Sequence, residues 1–275
     1  MNKIRKCLFP VAGYGTRFLP MTKVIPKEML PIGSKPLIQY AVEEALSCNI
    51  SNMVMITSKF KGAIRVYFEP NHEIEVSVRG SEKEKLLDVL NKIIDTCEFS
   101  YVEQPEMLGL GHAISCGNEL IGGEPFAVLL PDDLCHSEGD SVLRQMKDIY
   151  EKNTECCVVA IEEVPIEEVN KYGVIDGDLV SGSANTYQVK SMVEKPDPAE
   201  APTNLAIIGR YILIPEIFEV LKDISPDMNG EIQITDALMV LAKQGRVLGY
   251  KFQGTRFDCG SPKGFLRATN QMSEL

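Results

Sequence analysis

The sequence predicts an α/β fold with a Rossmann-like, mixed and mostly parallel central sheet, and three observations carry that expectation. Apolar strand-like runs recur along the 275-residue chain. Helical patterns stand between many of them. The first run, at residues 7–11, feeds directly into a loop containing Gly13 and Gly15. Alternating β and α units imply right-handed crossovers and a sheet covered on both faces, with ligands gathering at the carboxyl ends of its strands.

In chain order, the strand-like runs lie at residues 7–11, 53–57, 99–102, 126–130, 157–161, 205–214 and 247–252. The segment 36–48 has Pro36 near its first turn and Leu37, Tyr40, Ala41 and Leu46 at helical spacing, the pattern of an amphipathic helix. Residues 83–96, 111–121, 141–152, 215–221 and 232–244 read likewise, and 265–272 forms a last helix. After Pro131 the rhythm changes. Residues 174–193, with DGDLVSGSANTY, are short and turn-rich and suit antiparallel strands better than a crossover unit. They predict a smaller antiparallel part that caps the sheet. The Pro-rich patch at 195–203 is too short for a domain linker. The expected organisation is one domain over 1–275, with halves at about 1–131 and about 132–275.

Hydrophobic residues make up 44% and charged residues 24% of the chain, values of a soluble globular protein. The net charge of −11 excludes a nucleic-acid or anionic-membrane surface, which needs a dense basic stripe. Any anionic ligand must therefore be met by a local cluster of cations inside one cleft. The eight cysteines show no C-x-x-C or Cys/His ligand spacing, so no zinc site is expected. There is no signal-like N-terminus and no apolar run of the roughly 18 residues a membrane helix needs. Reduced thiols in a cytoplasmic protein are the expectation.

The candidate chemistry begins in the first loop. Gly13 and Gly15 let backbone N–H groups after Ala12 approach phosphate oxygens. Thr16 adds a hydroxyl, and Arg17 and Lys27 add cations. Alone, GYG reads better as a tight turn, being neither G-x-G-x-x-G nor a Walker loop. Asp132 and Asp133 end the apolar run FAVLLP and can serve as a turn, a helix cap or ligands. Asp258 follows another strand-like run, and two carboxylates plus phosphate oxygens and water suit Mg²⁺. Glu194 and Lys195 fit either a solvated surface pair or an anion site. The Gln104 amide offers a donor and an acceptor to a pyrimidine edge, and Gly109 leaves room beside it. His112, near a helix start, has no partner visible in the sequence and is given no role. Glu28 fits a helix-start carboxylate as well as a ligand contact. With three histidines and no G-x-S-x-G, acyl-transfer machinery is not indicated.

The string PVAGYGTRFLPMTKVIPKEMLPIGSKPLI closely resembles the opening signature of the sugar-phosphate nucleotidylyltransferases, in the variant of bacterial UTP:glucose-1-phosphate uridylyltransferases. EQPEMLGLGHAI, LLPDDL, KYGVI, MVEKP, GRYILIPEIFEVL, NGEIQITDAL and FDCGSPKGFL resemble that family's later blocks, in its order. The resemblance implies the nucleotide-diphospho-sugar transferase fold and a Mg²⁺-dependent transfer of UMP from UTP to glucose 1-phosphate, giving UDP-glucose and pyrophosphate. It assigns Ala12, Gly13, Gly15, Thr16, Glu28, Gln104 and Gly109 to the nucleotide, and Asp133, Gly173, Glu194 and Lys195 to the sugar phosphate. Arg17, Lys27, Asp132 and Lys195 would be catalytic, and Asp132 and Asp258 would hold the metal. It further implies a homodimer or homotetramer and, since the chain ends soon after its last helix, a single activity. A thymidylyltransferase and a catalytically silent nucleotide-sugar sensor are the alternatives; the second is expected to lack Arg17, Lys27 or a metal aspartate.

Overall fold

The computed structural model describes residues 3–272. Its strands, in chain order, are β1 (Lys6–Pro10), β2 (Pro31–Ile32), β3 (Lys35–Pro36), β4 (Asn52–Thr57), β5 (Glu98–Glu103), β6 (Phe126–Leu129), β7 (Asp133–His136), β8 (Cys157–Glu163), β9 (Gly173–Leu179), β10 (Thr186–Glu194), β11 (Leu205–Leu213), β12 (Val247–Lys251) and β13 (Thr255–Asp258). The helices are α1 (Leu37–Ser47), α2 (Gly62–Tyr67), α3 (His72–Val78), α4 (Lys85–Thr96), α5 (Gly109–Cys116), α6 (Asn118–Ile121), α7 (Val142–Tyr150), α8 (Ile217–Lys222), α9 (Ile234–Ala242) and α10 (Pro262–Met272).

Nine strands form one sheet in the order β5-β4-β1-β6-β11-β8-β12-β10-β9. β5, β4, β1 and β6 run parallel. Cys7, Leu8 and Phe9, and all of β6, are buried as consecutive residues, the signature of strands covered on both faces. β11 is antiparallel to both β6 and β8. β9 and β10 do not lie over the sheet as a cap, as the turn-rich sequence suggests. They continue its edge, and β9 curls back so that Val174 pairs with Ala206 of β11. The second half thus closes a circuit of pairings, β11-β8-β12-β10-β9-β11. One buried core draws on both halves, with Phe9 and Val128 in the same cluster as Ile161 and Val189. Phe126 of β6 stacks on Phe218 of α8 with centroids 5.1 Å apart, a contact that stabilises by about 1 kcal/mol beyond its burial.

Helices α2 and α3 and the pairing of β7 with β13 are absent from the sequence expectation. The helices are short and bury only Ile64 between them, too little apolar periodicity to announce itself. This two-stranded ladder joins four-residue strands far apart in the chain, pairing Asp133 with Asp258. It packs with α10 on a small separate cluster around Leu134, Phe257 and Ala268. Among the described residues, no helix is long and apolar enough to cross a membrane.

Candidate active site

The loop after β1 folds back over Lys27. Gly15 is left-handed at φ 66°, and a Cβ there would stand 3.1 Å from Lys27 Cβ and 3.2 Å from Thr22 Cγ2, so only glycine fits without strain. Thr22 Oγ1 donates to the Gly15 carbonyl at 2.8 Å, closing the turn. Thr16 opens a single 3₁₀ turn, and Arg17 Nη1 donates to the Gly260 carbonyl at 3.1 Å. The arginine is thereby aimed at the segment after β13.

Lys27 Nζ lies 2.5 Å from Asp132 Oδ2. Burial works against its charge, but Asp132 and then Glu28 outweigh burial and raise its pKa, so it stays an ammonium. Burial likewise pushes Asp132 upward, yet Lys27 and a backbone hydrogen bond hold it below the usual aspartate range. Glu28 is 1% exposed. Its Oε2 meets Lys61 Nζ at 2.7 Å, while its Oε1 has no partner among the described residues. Burial, the largest influence on each, raises Glu28 and lowers Lys61 against their mutual attraction. An unpaired buried carboxylate oxygen costs free energy until a donor reaches it, which suits a ligand hydroxyl or amide.

Two cavities flank Asp132. The first, about 280 Å³, is lined by Ala12, Gly13 and Lys27 on one side and by Gln104, Gly109, Leu110 and Glu231 on the other. It lies beyond the carboxyl ends of β1, β5 and β6, where an open α/β sheet binds ligands. Gly109 is left-handed at φ 89°, with Ile232 O only 3.0 Å from where its Cβ would be. This close seat lets the Gly111 N–H donate to Ile232 O at 2.9 Å, and it brings Glu231 to the cavity wall.

The second cavity, about 510 Å³, gathers Arg17, Lys171, Lys195 and Arg256 with Asp132, Asp133, Tyr172, Asp258 and Ser261. Four cations in one cleft answer the acidic net charge of the whole chain. Lys195 is left-handed at φ 47°, an uncommon state for a non-glycine residue that clusters at functional sites. Its N–H donates to the Tyr172 carbonyl at 2.9 Å, and its Nζ is 3.2 Å from Glu194 Oε1. Glu194 Oε2 accepts from Thr235 Oγ1 at 3.0 Å. Glu194 pairs with Gly173 across the β9–β10 ladder, and a Cβ on Gly173 would meet Thr235 Cγ2 at 2.5 Å and Glu194 Oε2 at 3.1 Å. Gly173, Glu194 and Lys195 are therefore one cluster. Asp133 borders the same cavity, but both its oxygens are engaged, with Arg256 Nη1 and the Gly209 N–H, each at 2.7 Å. Asp133 thereby holds Arg256 at the wall of this cavity, and each of its oxygens keeps a second lone pair for a ligand.

Asp132 and Asp258 converge on Gly260. A Cβ at that position would lie 3.0 Å from Asp132 Oδ2, 3.0 Å from Asp258 Oδ1 and 3.3 Å from Arg17 Nη1. Asp132 Oδ2 and Asp258 Oδ1 thus approach one another beside Gly260, and two such carboxylates suit a small divalent cation once Asp132 shares the oxygen that Lys27 now holds. Asp258 is raised by burial and then by Asp133 and Asp132, against Arg256. Among the described residues no third His, Cys, Asp or Glu completes the set, so phosphate oxygens and water would supply the remaining positions of an octahedral ion.

Three residues of this site carry no signal in the sequence. Lys61 pairs with Glu28 and Arg256 with Asp133 and, through Nε at 2.5 Å, with Glu162. Arg210 of β11 is fully buried, with Nε and Nη2 on Glu44 Oε2 at 2.9 and 2.8 Å and Nη1 on the Leu130 and Gly209 carbonyls. It braces the turn that carries Asp132. His112, given no role above, has a partner in Gln104.

Comparison with known proteins points to one family. The family model described as nucleotidyl transferase matches residues 10–274. The chain is similar to the UTP–glucose-1-phosphate uridylyltransferase of Pseudomonas aeruginosa, 56% identical over 268 residues, covering 97% of this chain and 95% of the relative. It is also similar to the enzyme of that name from Bacillus subtilis, 45% identical over 269 residues, covering 98% and 91%. A solved UDP-glucose pyrophosphorylase complexed with UDP-glucose matches it with a TM-score of 0.91 and 52% identity over 99% of each chain.

Proposed function

The chain belongs to the nucleotidyl transferase family, and from that premise we propose that it transfers UMP from UTP to α-D-glucose 1-phosphate, forming UDP-glucose and pyrophosphate. The observation that carries the reading is the pair of cavities meeting at one wall, Leu130 and Asp132, which line both. A nucleotide in the first and a sugar phosphate in the second would bring their phosphates together there.

A phosphate monoester, with a second pKa of about 6, is largely dianionic at neutral pH and needs no base to attack phosphorus. The protein's task is alignment and charge neutralisation. A sugar-phosphate oxygen forms a bond to the α-phosphorus as the bond from that phosphorus to the bridging oxygen breaks, and the electron pair leaves with pyrophosphate. Arg17, Lys27 and the loop from Ala12 to Thr16 take the triphosphate. Lys195, with Arg256 and Lys171 beside it, takes the attacking phosphate, and Glu194 takes sugar hydroxyls. Asp132 and Asp258 would hold Mg²⁺, which supplies charge stabilisation on the transferring and leaving phosphates. A core shared by both halves supports a single domain, and eight unpaired cysteines support a cytoplasmic setting.

A panel of UTP, dTTP, CTP, ATP and GTP with glucose 1-phosphate, read as pyrophosphate release with and without Mg²⁺, tests the reading. UTP is expected to be used fastest, and only with the metal; a preference for dTTP would transfer the assignment to the thymidylyl alternative. In Lys195→Ala, kcat/KM for glucose 1-phosphate is expected to fall by roughly 10²–10³ through loss of a charge-assisted contact. The melting temperature should stay put, since the side chain is 51% exposed with one ion pair. Wild-type turnover by that variant would remove Lys195 from the reaction.

A further inference from the structure

We propose that His112 sets the base preference of the nucleoside cavity by locking the Gln104 amide with its carbonyl oxygen toward the ligand. The inference deepens the uridylyl-transfer reading and rests on it. Gln104 follows β5 directly, and its backbone N–H is fixed on the Thr57 carbonyl at 2.8 Å. Its side chain is 6% exposed and lines the cavity. Nε2 donates to the Gly109 carbonyl at 3.2 Å and lies 3.1 Å from His112 Nδ1. A primary amide has two N–H bonds on its nitrogen. With the Gly109 carbonyl and Nδ1 both accepting, the nitrogen is fully used and Oε1 alone is left for a ligand, in place of the donor and acceptor that the sequence suggests.

The lock requires one tautomer of His112: for Nδ1 to accept, it must carry the lone pair and the ring proton must sit on Nε2, which faces Cys116 Sγ at 3.9 Å. Uracil and thymine present an N3–H donor between two carbonyls, whereas cytosine presents N3 as an acceptor beside an amino group. An amide free to turn over could serve either edge. One held by both Gly109 and His112 accepts from N3–H and leaves cytosine with two acceptors facing each other. Without His112, only the Gly109 carbonyl opposes the flipped amide. His112 is thus a positioning residue acting through Gln104.

The test measures kcat/KM for UTP, CTP and dTTP in the wild type and in His112→Phe, His112→Leu and His112→Asn. In the Phe and Leu variants the UTP-over-CTP preference is expected to fall about tenfold, equivalent to about 1.4 kcal/mol and the scale of one net hydrogen bond. The loss should appear in KM for UTP, with KM for glucose 1-phosphate unmoved. The UTP-over-dTTP ratio should hold, because both bases share the edge being read. Asn places Oδ1 where Nδ1 stood and should restore most of the preference. Unchanged UTP-over-CTP selectivity in both apolar variants, or equal erosion of both ratios, overturns the proposal. A second measurement needs no variant: with only three histidines in the chain, ¹⁵N shifts of the wild-type rings report the tautomer directly. A proton on Nδ1 of His112 would overturn the lock even if UTP is the substrate, whereas a wild type that does not use UTP fails the reaction reading instead.

Discussion

Asp132→Asn is expected to lower kcat by about three orders of magnitude, the scale on which removal of one transition-state charge contact operates. The carboxylate does three things at one point. It forms the wall common to both cavities, it neutralises Lys27 at 2.5 Å, and with Asp258 it faces the space left by Gly260. Asn keeps the shape but loses the charge, so Lys27 loses its ion-pair partner and the proposed cation site keeps one carboxylate. The stability cost should be only about 1 kcal/mol, because both side chains of the pair retain access to water. Kinetics across a Mg²⁺ titration, beside a thermal melt, separates the two effects. A folded variant with wild-type kcat at saturating Mg²⁺ would dismiss the metal-site reading. The same site predicts a pH effect. In the proposed metal site Asp258 must be ionised to hold the cation, and its pKa is raised, chiefly by burial, so it takes up a proton at a higher pH than an ordinary aspartate. On acidification, the Mg²⁺ concentration for half activation should climb earlier than a free carboxylate would dictate.

Arg210→Ala is expected to cost about 3–5 kcal/mol of stability, the usual result of stripping one partner from a buried ion pair. Glu44 would be left 8% exposed as a side chain and without its cation. Its other oxygen accepts the Leu143 N–H at 2.9 Å, so the lone carboxylate cannot swing to solvent without undoing the start of α7. In a chain of this size 1 kcal/mol shifts the melting temperature by roughly 2–4 °C, giving a fall near 10 °C. The double variant Arg210→Met with Glu44→Leu should recover much of that, since replacing both charges by apolar groups is often neutral. Equal melting temperatures for the single variant and the wild type would show that the pair is not what supports this part of the core. The single variant should also lose activity beyond its loss of stability, as Nη1 anchors the Leu130 carbonyl two residues before Asp132.

The parts of the site legible in the sequence share a local grammar. A glycine beside a strand, an acid at a strand end and a Glu-Lys pair before proline can each be read within a few residues. The strands are legible for the same reason, as buried parallel strands write unbroken apolar runs. What stays hidden depends on partners elsewhere in the chain. Lys61 meets Glu28 across 33 positions, Arg256 meets Asp133 across 123, and Arg210 meets Glu44 across 166. A lysine in KGAIR or an arginine inside an apolar strand has no local feature to distinguish a solvated charge from a buried brace. Asp133 shows the converse. Its position beside Asp132 suggests a ligand contact, and only the fold reveals that it also holds Arg256. His112 lies eight residues from Gln104, on the far side of a turn, so helical spacing alone says nothing of their contact.

β11 serves both the parallel strands, through β6, and the closed circuit, through β8 and β9. A strand shared in this way leaves no crease along which the nucleotide side could swing toward the sugar side as a rigid flap. The separation of the two cavities is therefore set when the chain folds, because the wall they share at Leu130 and Asp132 follows β6, which is bonded directly to β11.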